Sequence, residues 1–354
     1  MIRRLMVSGA VCLRAAAVGE AQSAPQPSAV LRGVTELRGF AQTPSGYRVR
    51  TMVTRPNGID RLLPAILFVQ WLSCDPVALP PSGGDGWSRM LRGIIENSGM
   101  IVARTEKPGM GDSEGPPCGQ LGYLEELAAH RAALRELRRS PGVHPDSIFL
   151  FGGSMGGTMV ALLAADEPVR GVIVWGSTGL SWFEHMVALD RRVMELQGTG
   201  ATDIARWMPD HERLHRAYLI DRASPSELGA RDPSLAAAWT RMLGTSPTDH
   251  YGRPFAFHQE AQGAAWGSAW ERVHAPVLVV RGQYDWIMSA AEHQRIVDIV
   301  SARGVHAEFV TAPRLDHNFD VASSDAAAFR GEVQGFDPAV VDVLLRWLDR
   351  RRRP

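Results

Sequence analysis

The chain predicts an α/β fold, a mostly parallel central sheet flanked by helices and interrupted by a helical insertion. Three observations carry that prediction. Short apolar runs alternate with helix-patterned segments from about residue 64 to 175, which is how parallel strands joined by crossover helices read. The alternation stops from about Leu180 to Val273, where the pattern is helical, and resumes with Pro276-Val277-Leu278-Val279-Val280. One strand, Ile148 to Phe151, breaks into Gly152-Gly153-Ser154-Met155-Gly156-Gly157 and runs into the helical pattern Thr158 to Ala165.

Taken in order, Leu37 to Phe40 and Tyr47 to Thr54 read as a hairpin with Pro44-Ser45-Gly46 at its turn. Pro64 opens the strand Ala65 to Gln70, followed by Trp71-Leu72-Ser73-Cys74-Asp75 and a Pro/Gly-rich loop to Gly86. Trp87 to Asn97 is a helix with Met90, Leu91, Ile94 and Ile95 on one face. Met100 to Arg104 is the next strand and leads into the loop Glu106 to Ser113. A long helix, about Leu121 to Arg139, precedes the Ile148–Phe151 strand, and Gly171 to Trp175 is a further strand. After the insertion come the strand at Val277, a helix from about Ala290 to Ala302, the strand Ala307 to Val310, and a last helix begun by Asp337 and Pro338. The domain reading is therefore a leader over 1–24, a core in two parts, 35–178 and 274–350, and an insertion over 179–273.

Composition excludes several classes of function. Lys+Arg 38 against Asp+Glu 38 leaves no net charge and no basic stripe, so nucleic acid is not an expected partner. The run Arg350 to Arg353 reads as a solvated tail. No apolar run reaches the length of a membrane span, and nothing in the sequence indicates an oligomeric state. Met1 to Ala24, with Arg3 and Arg4 ahead of an apolar stretch and Ala21-Gln22-Ser23-Ala24 behind it, is similar to a secretory leader, although Arg14 and Glu20 suit one poorly. The expectation is export to a periplasmic or extracellular space, with the cytoplasm as the alternative. Cleavage would remove Cys12 and leave Cys74 and Cys118, either bridged in an oxidising compartment or as two free thiols.

Ligand sites of open α/β sheets lie at the carboxyl ends of strands. Just past three predicted strands stand Ser154, Asp285 in Gly-Gln-Tyr-Asp, and His317 in Asp-His-Asn-Phe. A serine hydroxyl is too weak an acid to attack a carbonyl unaided. An imidazole can take its proton, and a carboxylate can fix the imidazole's tautomer and stabilise the imidazolium. Gly-x-Ser-x-Gly between a strand and a helix turns so sharply that side chains at its flanks would collide, and it aims the Met155 N–H where an oxyanion would form.

With these motifs in hand the chain resembles the α/β-hydrolase superfamily over about residues 35 to 350, in particular capped serine esterases and the related serine aminopeptidase and prolyl-oligopeptidase-like hydrolases. The resemblance implies Ser154 as nucleophile, His317 as base and Asp285 as its orienting acid. It implies a second oxyanion donor at the backbone N–H of Leu72, beside that of Met155, since Gln70-Trp71-Leu72 stands where the family commonly has His-Gly and a donor. Trp71 departs from the usual glycine, and a role as a wall of the acyl pocket is compatible with the Leu72 donor. The loop Glu106 to Ser113 is similar to the one after the family's fourth strand, and the insertion stands where the family carries a cap.

The expected activity is hydrolysis of a small-molecule carboxylic ester through an acyl-enzyme, with no cofactor. A serine exopeptidase or amidase using the same triad is the alternative. Five tryptophans (182, 207, 239, 266 and 270) with Met186, Met208 and Met242 are expected to line the site from the cap, and Glu184 or Glu195 could hold the amine of a peptide substrate. Asp316 and Asp320 flank His317 as lesser rivals to Asp285, and Ser113 reads as structural. A remote alternative is a zinc peptidase through His211-Glu212-Arg213-Leu214-His215, a His-Glu-x-x-His pattern that on a helix sets two imidazoles on one face. The expectation there is a solvated helix face, capped at Asp210, without a metal.

Overall fold

The computed structural model describes residues 30–352, so the expected leader and Cys12 lie outside the described residues. The chain opens with strands β1 (Val34–Gln42) and β2 (Arg48–Pro56), paired antiparallel, then β3 (Leu63–Val69), α1 (Gly86–Asn97), β4 (Ile101–Thr105), α2 (Tyr123–Arg139), β5 (Val143–Gly153), α3 (Met155–Asp166) and β6 (Gly171–Trp175). The insertion contributes α4 (Trp182–Leu196), α5 (Ala201–His215), α6 (Pro225–Arg231), α7 (Pro233–Arg241), a short hairpin β7 (Asp249–His250) and β8 (Arg253–Pro254), α8 (Phe255–Gly263) and α9 (Trp266–Trp270). The core then resumes with β9 (Val277–Gly282), α10 (Ala290–Ser301), β10 (Ala307–Ala312), α11 (Asp325–Phe329) and α12 (Ala339–Arg351).

Eight strands form one sheet in the order β1-β2-β4-β3-β5-β6-β9-β10, parallel from β4 to β10. The central strands are apolar without alternation because both their faces are covered. Ala65, Leu67 and Val69 of β3 enter the core layer that includes α2, α3 and α10, whereas Ile66 and Phe68 enter the layer under α1 and α12. Parallel register brings the carboxyl ends of β3, β5, β6 and β9 to one edge, and Val69, Gly152, Val174 and Val279 follow one another across it. The site grows from that edge.

Several expectations need correction. The insertion does contain strands, but β7 and β8 are two residues each, too short for any periodicity to show. Helix α5 starts after Gly200 and runs through Pro209, so Asp210 lies inside it and caps nothing. The face bearing His211 and His215 is not solvated, since both side chains are fully buried. Trp182, Trp266, Trp270 and Met186 belong to the main core, and Met208 and Met242 fill small cores within the insertion, so these side chains hold helices together. Arg350 to Arg352 are no free tail, and Arg353 lies outside the described residues. Arg350 and Arg351 pair with Glu308, Arg351 lies over the Trp347 ring, and Arg352 donates to the Ser98 carbonyl.

Candidate active site

The turn between β5 and α3 holds Ser154 at φ +54° and ψ −122°, a conformation a non-glycine residue adopts only under constraint. The Ser154 N–H donates to Trp175 O on β6 at 2.8 Å, which ties the turn to the neighbouring strand end. The glycine behind it is required by space. A Cβ on Gly156 would stand 2.1 Å from Val69 O and 2.5 Å from Gln70 O, so only glycine lets the start of α3 reach the loop after β3.

Asp285 follows β9 and is buried. Its Oδ1 accepts the N–H groups of Ile287 and Met288 at 3.0 and 2.9 Å, which leaves Oδ2 for His317 Nδ1 at 2.9 Å. The other ring nitrogen of His317, Nε2, lies 3.0 Å from Ser154 Oγ. The histidine loop is anchored to the same edge: Trp175 Nε1 donates to His317 O at 2.9 Å, and Trp87 Nε1 to Asn318 Oδ1 at 3.3 Å. Gly176, at φ +57° just past β6, makes room for the imidazole, because a Cβ there would lie 2.7 Å from the ring.

Burial opposes charge on both partners, yet the pair wins on both. The Asp285 carboxyl is held below the usual carboxylate range by the His317 charge and hydrogen bond, against desolvation. The His317 imidazole is held above the usual histidine range by the Asp285 charge and hydrogen bond, again against desolvation. With a proton on Nδ1 facing the carboxylate, Nε2 is an acceptor for the serine hydroxyl, which is the arrangement general-base activation needs.

The rivals in the sequence stand elsewhere. Asp316 is buried, and its Oδ1 accepts the N–H groups of Asn318 and Asp320, shaping the histidine loop from within. Burial pushes its carboxyl up to about 6. Ser113 Oγ accepts the Arg50 N–H in a loop beside β2. His211 Nδ1 and His215 Nε2 both meet Asp190 Oδ2, at 2.7 and 2.8 Å, while Glu212 is exposed. Glu184 accepts the Ser181 N–H in the N-terminal box of α4. Glu184 and Glu195 line a groove of about 830 Å³ between α4 and α5, together with Arg191 and Arg192, and none of Ser154, Met155, Leu72 or His317 lines it.

The two expected oxyanion donors come from neighbouring segments. Met155 is the first residue of α3, where backbone N–H groups have no partner within the helix. Leu72 is half-buried in the loop after β3. Its neighbour Trp71 packs on Phe68 and Trp87, with ring centroids 6.0 and 5.0 Å apart, so its side chain anchors the loop where glycine was expected. Cys74 and Cys118 form a disulfide that ties this loop to the segment before α2.

Sequence reasoning passed over three residues around this loop. Lys107, Glu126 and Arg253 are fully buried and lie together behind residues 71–73. A lysine two residues past a strand end, in the loop Glu106 to Ser113, was the available signal. Arg253 had none, because its position depends on the fold of the insertion.

Comparison with known proteins agrees with the fold. Residues 45–313 match the family model of the X-Pro dipeptidyl-peptidase (S15 family), a stretch that includes Ser154 and Asp285 and stops short of His317. Among solved structures, a thermostable esterase from Pseudomonas putida is similar at 15% identity and a TM-score of 0.51, covering 92% of this chain and 86% of that one. An acylaminoacyl peptidase from Pyrococcus horikoshii is similar at 11% identity and a TM-score of 0.55, covering 91% of this chain and 42% of that one. Dipeptidyl peptidase 4 from Porphyromonas gingivalis is similar at 12% identity and a TM-score of 0.54, over 90% and 36% of the two chains. Among curated proteins, none matches the chain by sequence.

Proposed function

The chain belongs to the X-Pro dipeptidyl-peptidase (S15) family within the α/β-hydrolase serine hydrolases, and from that premise we propose that it hydrolyses small carboxylic esters through an acyl-enzyme on Ser154. The observation that carries this reading is the continuous path Ser154 Oγ, His317 Nε2, His317 Nδ1, Asp285 Oδ2, with steps of 3.0 and 2.9 Å. Ser154 attacks the acyl carbon as His317 takes its proton. The backbone N–H groups of Met155 and Leu72 receive the negative charge on the carbonyl oxygen. His317 then returns the proton to the leaving alcohol, and water repeats the sequence to free the acid. Asp285 holds the tautomer throughout. The segment 179–273 acts as a cap, and the Cys74–Cys118 disulfide fits a protein exported to an oxidising compartment.

Cleavage of an amide on the same residues is the second reading, favoured by the family itself. A peptidase acting at a free N-terminus needs a carboxylate to hold the ammonium. Among the described residues the buried carboxylates are Glu106, Glu126, Asp190, Asp285, Glu292 and Asp316, and each is bound to a partner of its own. Glu184 and Glu195 face a groove that includes no site residue. These observations support ester over peptide. Matched p-nitrophenyl esters of graded chain length and aminoacyl anilides test it: ester kcat/KM at least tenfold higher is expected. Equal anilide turnover that collapses in Glu184→Gln or Glu195→Gln would reverse the ranking.

A further inference from the structure

Three consecutive carbonyls of the loop after β3 converge on one buried cation. Lys107 Nζ donates to Trp71 O at 2.6 Å, Leu72 O at 3.0 Å and Ser73 O at 2.9 Å. Leu72 O also accepts from Arg253 Nη1 at 2.8 Å, and Arg253 comes from β8 of the insertion. Glu126 on α2 lies 3.1 Å from Lys107 Nζ and pairs with Arg253, which also lies over the Phe257 ring. Lys107, Glu126 and Arg253 are each 0% exposed. Two cations and one anion enclosed in this way are a costly arrangement, and the loop carbonyls, with the nearby charges of Asp75 and Glu106, offset the surplus positive charge.

The reward lies in the peptide unit between Trp71 and Leu72. A trans peptide is planar, so its C=O and N–H point in opposite directions, and fixing one fixes the other. Lys107 holds the Trp71 carbonyl to the interior, which turns the Leu72 N–H to the opposite side. The start of α3 approaches that loop so closely that a Cβ on Gly156 would overlap Val69 O and Gln70 O. We infer that Lys107 and Arg253, with Glu126 balancing their charge, are positioning residues that aim the Leu72 N–H at the oxyanion, so that the insertion helps to set up the oxyanion site through Arg253. The inference rests on the reading of Leu72 as an oxyanion donor. A donor preorganised before charge develops is worth more than one that must reorient, and loss of one such donor typically lowers kcat by about 10²–10³.

The test uses the full chain with Ser154 titrated by a fluorophosphonate, so that turnover is counted per competent site. Lys107→Met removes the donor while keeping length, and Arg253→Lys keeps the charge but not the two-pronged reach. Both should lower ester kcat by about 10- to 100-fold with KM changed less than about threefold. Affinity for a boronic-acid transition-state analogue should fall in parallel, and Lys107→Arg should recover part of the loss. A merely structural role would lower the melting temperature and leave kcat per titrated site and boronate affinity unchanged. That outcome overturns the inference. If Lys107→Met does not fold, Arg253→Lys decides alone. A Ser154→Ala protein that still turned over ester would instead sink the proposed function, so the two failures are distinguishable.

Discussion

Among the described residues, two of the buried imidazole–carboxylate constellations have nearly the same bond lengths. At the sheet edge, His317 Nδ1 meets Asp285 Oδ2 at 2.9 Å, and in the insertion Asp190 Oδ2 receives His211 at 2.7 Å and His215 at 2.8 Å. What differs is the far side of each ring. His317 presents Nε2 to a serine hydroxyl held in a strained turn. His211 Nε2 faces Arg241 Nε at 3.3 Å, and His215 Nδ1 has no hydrogen-bond partner. An acid–imidazole pair is therefore not a site by itself. On the proposed function it becomes one when a nucleophile is aimed at the free nitrogen, which is the part assigned to the glycine-bounded turn at Ser154.

The comparison breaks first at the serine. Ser154→Ala should lower ester kcat by roughly 10⁴- to 10⁶-fold and abolish fluorophosphonate labelling, because the proton relay then has nothing to act on. Labelling that persists would move the nucleophile elsewhere. No substitution in the insertion's cluster should come near that effect.

Asp285→Asn is expected to cost about 10⁴ in kcat, since the amide favours the wrong tautomer of His317. It also supplies a pH test with a definite sign. The Asp285 charge and hydrogen bond outweigh burial and hold the His317 imidazole above the usual histidine range. General-base activity needs the neutral ring, so kcat/KM should rise with pH along a limb centred above the ordinary value of about 6.5. In Asp285→Asn the surviving activity should show that limb displaced to lower pH, because burial is then opposed only by the smaller effect of the Asp316 charge. A limb that stays in place would mean that another group sets it.

How much of this was legible in the sequence follows from the same contrast. The elbow and the strand-end positions of Asp285 and His317 could be read because each is local: a strand, a turn and one reactive residue within a few positions. The strands of the core could be read because full burial leaves unbroken apolar runs. Asp190, His211 and His215 could not be sorted that way. The histidines fall at helical i, i+4 spacing, but the carboxylate between them arrives from α4, and no local pattern announces it. Lys107 and Arg253 are separated by about half of the core's first part and most of the insertion, so their shared hold on Leu72 O exists only in the folded chain. The tryptophans of the insertion misled for a related reason: composition says that they are buried, not whether a core or a substrate buries them.

A smaller effect sharpens the difference from the other side. Asp190→Asn should lower the melting temperature, by loss of roughly 3–5 kcal/mol typical of removing one partner from a buried pair, and leave kcat per titrated site unchanged within about twofold. His215 and His211 hold the Asp190 carboxyl down to about 2 although burial pushes the other way. A depressed carboxyl contributes stability that is present above its unfolded value of about 3.9 and is lost as pH falls through its folded value. The unfolding free energy of the unaltered protein should therefore drop between about pH 4 and pH 2 by more than that of Asp190→Asn, measured by denaturant titration across that window. Equal slopes would show that the cluster contributes no linked stability.

The smallest expected effect concerns the metal that His211-Glu212-Arg213-Leu214-His215 suggests by pattern. Zinc takes an imidazole nitrogen at about 2.0–2.1 Å, and a peptidase centre places the glutamate beside the metal-bound water. Here the two imidazoles share one carboxylate oxygen through Nδ1 of His211 and Nε2 of His215, both fully buried, and Glu212 points to solvent away from them. The ring nitrogens turned away from Asp190 are His211 Nε2, which already meets Arg241 Nε at 3.3 Å, and the buried His215 Nδ1, and a metal there would be left without its base. Ester turnover after dialysis against EDTA should stay within experimental scatter of the untreated protein, and added zinc should not raise it. Loss of turnover on chelation, recovered by zinc in the protein but not in a His211→Gln variant, would show instead that the insertion's histidines act in the reaction and that the two constellations differ less than their far sides suggest.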